Sequence, residues 1–353
     1  MSSSGSIRPL TSDHQYRSQD KGFQTTAFSL YTAETRIRNI ICGKLFLLVN
    51  DMLTCVLVSP EIEALKLGTL TGVITLRIDS HHHLWRYDPV EYDWISDDMS
   101  DLRRDFLTSE LRSQLNEAKV DGSVAVQARQ SLEETQWLLE MAQEAPILGV
   151  IGWAPIAAKD FPAILDHLKR NPLLKGLRHI VQAEPSQFLT GVDFQRGIHH
   201  LAGTGLVYDL LVYADQLPEG IAFVDQFPAQ SFVLDHMGKP AIAQHEIDLW
   251  SRNVRELAQR PNVTCKVSGL VTEANPATWT PELLRPYFDV VLESFGPERL
   301  MIGTDWPVCT IGSSYSQWWH IVEGWTASLS PSEQAAILGG TATRVYGLSG
   351  AST

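Results

Sequence analysis

The sequence predicts a closed parallel barrel of alternating strands and helices, a (β/α)8 TIM barrel with an N-terminal extension. Three observations predict it. Eight short apolar runs rich in β-branched residues follow one another from Val73 onward. Longer amphipathic stretches separate them. The first run ends in His81-His82-His83, where a doubly wound open sheet would need a glycine-rich turn.

The eight runs are Ile74–Ser80, Gly122–Ala128, Ile147–Ala154, Leu174–Val181, Leu206–Val212, Ser231–Asp235, Val263–Val267 and Leu300–Thr304. Between them, Leu132–Gln143, Phe161–Arg170, Phe194–Gly203, Leu249–Gln259 and Pro281–Ser294 read as helices. Pro162 and Pro281 fall in a first turn, where the missing N–H costs nothing. Gly205 follows a helix end, a usual place for a left-handed residue.

The chain has 353 residues, enough for one barrel of about 250 plus an extension. Residues 73–350 form the expected barrel domain. Residues 1–72 open with MSSSGS, show no clean period, and read as an appendage, partly disordered or an artefact of the gene model. The most apolar stretch there, Ile40–Ser59, is interrupted by Lys44, Asn50 and Asp51, so it fails the requirement of about 20 apolar residues for a bilayer span.

Apolar residues make up 44% of the chain and charged residues 20%, a globular composition. A net charge of −13 repels phosphate backbones and argues against nucleic acid, while leaving room for a small anion at a local basic cluster. Cys42, Cys55, Cys265 and Cys309 form no C-x-x-C pair, so a reducing, cytoplasmic setting is expected. Partners are therefore a small-molecule substrate and, compatibly, further copies of the chain in a homo-oligomer, with neither nucleic acid nor membrane.

In this architecture chemistry sits where the strands end. Residues two apart on a strand share a face, so His81 and His83 face the barrel axis together and His82 faces away. His236 ends the sixth strand and Asp305 the eighth. Three imidazoles and a carboxylate form a mixed N/O set suited to one divalent ion, zinc in particular. Arg178 on the fourth strand offers a planar fork for a carboxylate or lactone oxygen; a salt bridge to a loop carboxylate is its alternative. His179 belongs to the opposite face unless the strand bends. Lys266 either holds substrate or pairs with a buried acid. Trp85, Tyr87, Trp94 and Trp306 suit a pocket wall or the core equally. Asp235 suits support of a neighbouring histidine. His199, His200 and His320 lie in helical stretches, and Ser268 lacks the G-x-S-x-G elbow of a nucleophile.

Five motifs occur in order: D-x-H-x-H-x-W at Asp79–Trp85, K-G-L-R-H at Lys175–His179, V-L-D-H-M-G-K-P at Val233–Pro240, K-V-S-G-L at Lys266–Leu270 and F-G-P-E-R-L-M-I-G-T-D-W-P-V-C at Phe295–Cys309. Together they resemble the amidohydrolase-related (amidohydrolase 2) family, in the branch holding sugar-acid lactonases and 2-pyrone-4,6-dicarboxylate lactonase. The resemblance runs from about Ile78 to Gly347, three quarters of the chain. It implies a hydrolase that opens the carboxylic ester of a lactone of a sugar acid or related small carboxylated molecule. Asp305 would deprotonate water, while His81, His83 and His236, with or without one divalent ion, polarise the carbonyl. Arg178, His179, Trp85, Tyr87, Lys266 and Trp306 would meet substrate. The chain departs from the two-metal members, which carry a carboxylated lysine on strand four and a histidine on strand five. Here Arg178-His179 and Tyr208-Asp209 stand instead. A metal-dependent decarboxylase and a non-catalytic small-molecule-binding barrel are the alternatives.

Overall fold

The computed structural model describes residues 36–41, 44–49, 52–57, 76–143 and 146–349. Two units separate between Val73 and Ile74. In the first, strands Arg36–Ile41, Lys44–Val49 and Met52–Leu57 pair in that order as an antiparallel sheet. The rest of the expected appendage over 1–72 lies outside the described residues.

The second unit is the expected barrel. Eight strands run in parallel, each beside its sequence neighbour. They are β1 (Ile78–His82), β2 (Gly122–Val126), β3 (Ile147–Gly152), β4 (Leu174–Ile180), β5 (Val207–Leu211), β6 (Phe232–Leu234), β7 (Val263–Val267) and β8 (Leu300–Ile302). The helices between and after them are α1 (Thr108–Ala118), α2 (Leu132–Met141), α3 (Phe161–Leu168), α4 (Val192–Leu201), α5 (Leu217–Asp225), α6 (Asp248–Leu257), α7 (Pro281–Phe295) and α8 (Tyr315–Thr326). The ring is completed just past β8, where Asp305 N–H donates to the His81 carbonyl at 2.8 Å and His83 N–H to the Trp306 carbonyl at 2.6 Å. Among the described residues no helix is long and apolar enough to cross a membrane.

Two cores follow from the alternation of strand side chains. Ile78, Val124, Val126, Ile151, Val207, Val233 and Met301 fill the interior of the ring, together with Ala342, Tyr346 and Leu348 from the C-terminal segment. Their neighbours, such as Tyr208, Leu210, Phe232 and Leu234, face out under the helices in a larger cluster. Two residues beyond an interior valine the inward position turns polar: Val207 precedes Asp209 and Val233 precedes Asp235. The same period of two thus builds an apolar floor and a polar mouth.

Candidate active site

His81, His83, His236 and Asp305 meet at the C-terminal mouth. His81 Nε2 lies 3.2 Å from His83 Nε2, and Asp305 Oδ1 lies 3.6, 3.2 and 4.0 Å from the Nε2 atoms of His81, His83 and His236. His81 is fully enclosed, whereas His83, His236 and Asp305 retain 4–5% of their surface. The opening to solvent therefore lies on the side of those three.

Backbone conformation aims the last two. His236 (φ +51°) and Asp305 (φ +59°) occupy the left-handed region, which side-chain-bearing residues seldom adopt and which clusters at working sites. This turn ends β6 and β8 after three residues each and swings both side chains across the mouth. Gly269 (φ +72°) accommodates the result, since a Cβ there would stand 2.7 Å from His236 Cγ. Gly269→Ala is expected to cost about 1–3 kcal/mol through backbone strain and to displace the imidazole. A thermal midpoint lowered together with kcat would bear this out.

Each histidine is held by its far nitrogen. His83 Nδ1–H donates to the Val126 carbonyl at 2.8 Å, and its Nε2 faces Asp305 Oδ1. His236 Nδ1 hydrogen-bonds Ser268 Oγ at 2.9 Å. His81 Nδ1 lies 3.4 Å from Asp235 Oδ1 and 3.2 Å from Lys266 Nζ. Burial, with Lys266 beside it, holds the His81 imidazole well below its usual pKa, and burial lowers His236 to about 4. Burial alone would raise Asp305, but His236, the His83 hydrogen bond and His81 outweigh it and hold the carboxyl well below the usual range. The result at neutral pH is that His81 and His236 are uncharged beside the Asp305 carboxylate.

That donor set fits a divalent ion. His81, His83 and Asp305 offer ligand atoms within 4.8 Å of one another, as do His81, Asp235 and His236. With three imidazole Nε2 atoms converging on one carboxylate, the cluster has the mixed N/O chemistry of a divalent-metal site.

A layer of buried charge lies under the histidines. Asp235 accepts from Arg178 NH1 at 3.0 Å and meets Lys266 Nζ at 3.0 Å. Lys266 also reaches Asp209 Oδ2 at 2.5 Å, and Tyr346 O–H donates to Asp209 at 3.1 Å from below. Arg178 NH2 donates to the Gln127 backbone carbonyl and to its Oε1. Burial pushes Asp209 up to about 6 against the pull of Lys266, while Lys266, His81 and Arg178 overcome burial to keep Asp235 well below the usual range. Asp79 Oδ1 accepts from the N–H groups of His81 (3.1 Å) and Thr304 (2.9 Å), and Oδ2 from Thr304 Oγ1 (2.6 Å).

The other sequence-selected residues fall into two groups. Arg178 and Lys266, considered above as substrate contacts, are sealed in this layer and face Asp209, Asp235, Gln127 and His81 of the protein itself. Trp85 and Trp306 are also buried: Trp85 Nε1 donates to the Arg104 carbonyl at 2.9 Å, and Phe106 packs edge-on against both indoles. Tyr87 and Trp94 stay partly open beside them. His179 leaves the axis, stacks on Phe188 at 4.6 Å and contacts Glu184 Oε1 at 2.8 Å. Cys265 and Cys309 are enclosed, and burial pushes both thiols up, away from nucleophilic use. Gln127, Asp209 and the clamp role of Asp79 went unrecognised in the sequence; Asp79 at least carries a signal, as the first letter of D-x-H-x-H.

The amidohydrolase family profile matches residues 78–348. The chain is 42% identical over 291 residues to L-fucono-1,5-lactonase of Burkholderia multivorans, covering 77% of this chain and 96% of that one. It is 33% identical to L-fucono-1,5-lactonase of Burkholderia ambifaria, with 77% and 96% covered. A crystal structure of an amidohydrolase from Burkholderia multivorans with bound zinc superposes with a TM-score of 0.75 at 41% identity, over 78% of this chain and all of that one. A match through all eight strands, on top of the five motifs, means that the chain belongs to the amidohydrolase family.

Proposed function

We propose that the chain is a lactonase that hydrolyses the ring ester of a sugar-acid lactone, with Asp305 as general base. The observation that carries this is the convergence of Asp305 Oδ1 on the three Nε2 atoms at the open end of the barrel. The relatives named as lactonases, including L-rhamnono-gamma-lactonase of Scheffersomyces stipitis at 27% identity, support the substrate class.

The steps follow from the charges. Asp305 accepts a proton from water as its oxygen attacks the ester carbonyl. The carbonyl oxygen gains negative charge, which the imidazole edges of His81, His83 and His236 face. Collapse breaks the bond to the ring oxygen, and Asp305 returns the proton to that leaving alkoxide. The product is the open hydroxy acid. A divalent ion, proposed to be zinc, would be held by His81, His83, His236 and Asp305 and would supply Lewis acidity at the carbonyl. Arg178 and Lys266 fix His81 from beneath instead of touching substrate; the partly open Tyr87 belongs to the aromatic side of the mouth. Among the described residues Cys265 and Cys309 are buried free thiols, which supports a cytoplasmic setting.

The direct test is a panel of aldonolactones, L-fucono-1,5-lactone among them, in a pH-indicator assay, with metal analysis of the protein as purified. Proton release on at least one sugar lactone is expected, with zinc bound at one equivalent or fewer. No turnover with zinc supplied would sink the reading. The pH profile adds an independent check. Protonating the base stops the reaction, and Asp305 is held well below the usual range with His236 near 4. So neither Asp305 nor His236 is expected to introduce a break in kcat/KM above about pH 5.

A further inference from the structure

We propose that the Lys239–Glu273 pair at the rim reads two neighbouring hydroxyl groups of a neutral lactone ring, and so sets the substrate preference of the site. The proposal rests on the lactonase reading above. Lys239 lies three residues beyond His236, and its N–H donates to the His236 carbonyl at 2.9 Å, so the rim segment is fastened to a site residue. Its ammonium reaches Glu273 Oε1 at 3.3 Å and stands over the Tyr213 ring, 5.4 Å from the centroid. These three residues follow β6, β7 and β5, so the rim spans three adjacent strand ends on the His236 side. Tyr87 and Trp94 lie in the segment after β1, on the other side.

Valence points to the ligand. An ammonium has three donors and a carboxylate about four acceptor positions. One contact joins the two, and the Tyr213 face takes at most one more N–H. Both side chains keep 17–20% of their surface. Free donors and free acceptors therefore stand side by side at the opening. A vicinal diol, in which each hydroxyl both donates and accepts, satisfies both at once. The pair carries no net charge, so it favours a neutral polyol over a carboxylate. The cation that would have held a carboxylate, Arg178, is enclosed and committed to Asp235 and Gln127. A sugar-acid lactone fits this rim, since its own carboxyl is tied up in the ring ester. A ring bearing free carboxylates does not.

Lys239→Met keeps most of the stem over Tyr213 and removes the donors, and Glu273→Gln removes the charge of the acceptor. Both would be compared with the parent on a hydroxylated sugar lactone and on δ-valerolactone, which has the ester and no hydroxyls. The ratio of the two kcat/KM values is expected to fall at least tenfold in Lys239→Met, mostly through KM on the sugar lactone, with Lys239→Arg recovering part of it. Where δ-valerolactone turns over too slowly, its inhibition constant against the sugar lactone replaces its kcat/KM. A ratio within twofold of the parent, or equal losses on both substrates, overturns the proposal. Failure of the parent on every lactone would instead overturn the lactonase reading.

Discussion

Asp305→Asn is expected to lower kcat on a sugar lactone by about a thousandfold, the middle of the range for losing a positioned general base. The amide has nearly the same shape and still accepts hydrogen bonds through its oxygen, so the fold should survive. It cannot take a proton from water. It also removes the carboxylate that the three imidazoles share at the opening, so retention of a bound divalent ion should fall together with turnover. Steady-state kinetics paired with a thermal midpoint checks this. A kcat within tenfold of the parent would mean that another group activates water.

Lys266→Met should produce the largest loss of stability. Lys266 is fully enclosed and is shared by Asp209, Asp235 and His81. Without it, Asp209 and Asp235 face each other with Arg178 alone to offset them. Removing one partner of a buried ion pair costs about 3–5 kcal/mol, because the remaining charge stays out of water. In a unit of this size that corresponds to a fall in thermal midpoint on the order of 10 °C. The double variant Lys266→Met/Asp209→Asn should regain part of it, since the stranded carboxylate is then neutral. A single variant as stable as the parent would show that Asp209 already carries a proton in the folded state.

The sequence made His81, His83, His236 and Asp305 legible because strand period and strand-end position act locally. It also separated Arg178 from His179 by face. It could not show that Arg178 meets Asp235, because that depends on which side chains face each other across the closed ring. Asp209 and Gln127 were opaque for the same reason. Among the helices, α8 carries Trp318, Trp319 and Trp325, so its apolar character is too broad for a single stripe. α5 contains Pro218 and Gly220, which dilute the helical signal. The early ends of β6 and β8 come from left-handed turns at His236 and Asp305, where function overrides strand propensity.

The carboxylate of Asp79 reaches Thr304, 225 positions further along the chain, while also holding the N–H of His81. It orients the main chain at His81 and, through Thr304, the segment that presents Asp305. The two ends of the reaction centre thus share one anchor that exists only after the polypeptide has returned from the last strand to the first. Bringing such distant points together costs entropy that no local helix or strand recovers. Neither half of a severed barrel can hold the arrangement by itself. Hydrolysis would therefore appear with the last step of assembly, and an isolated fragment, however well ordered, would be inert.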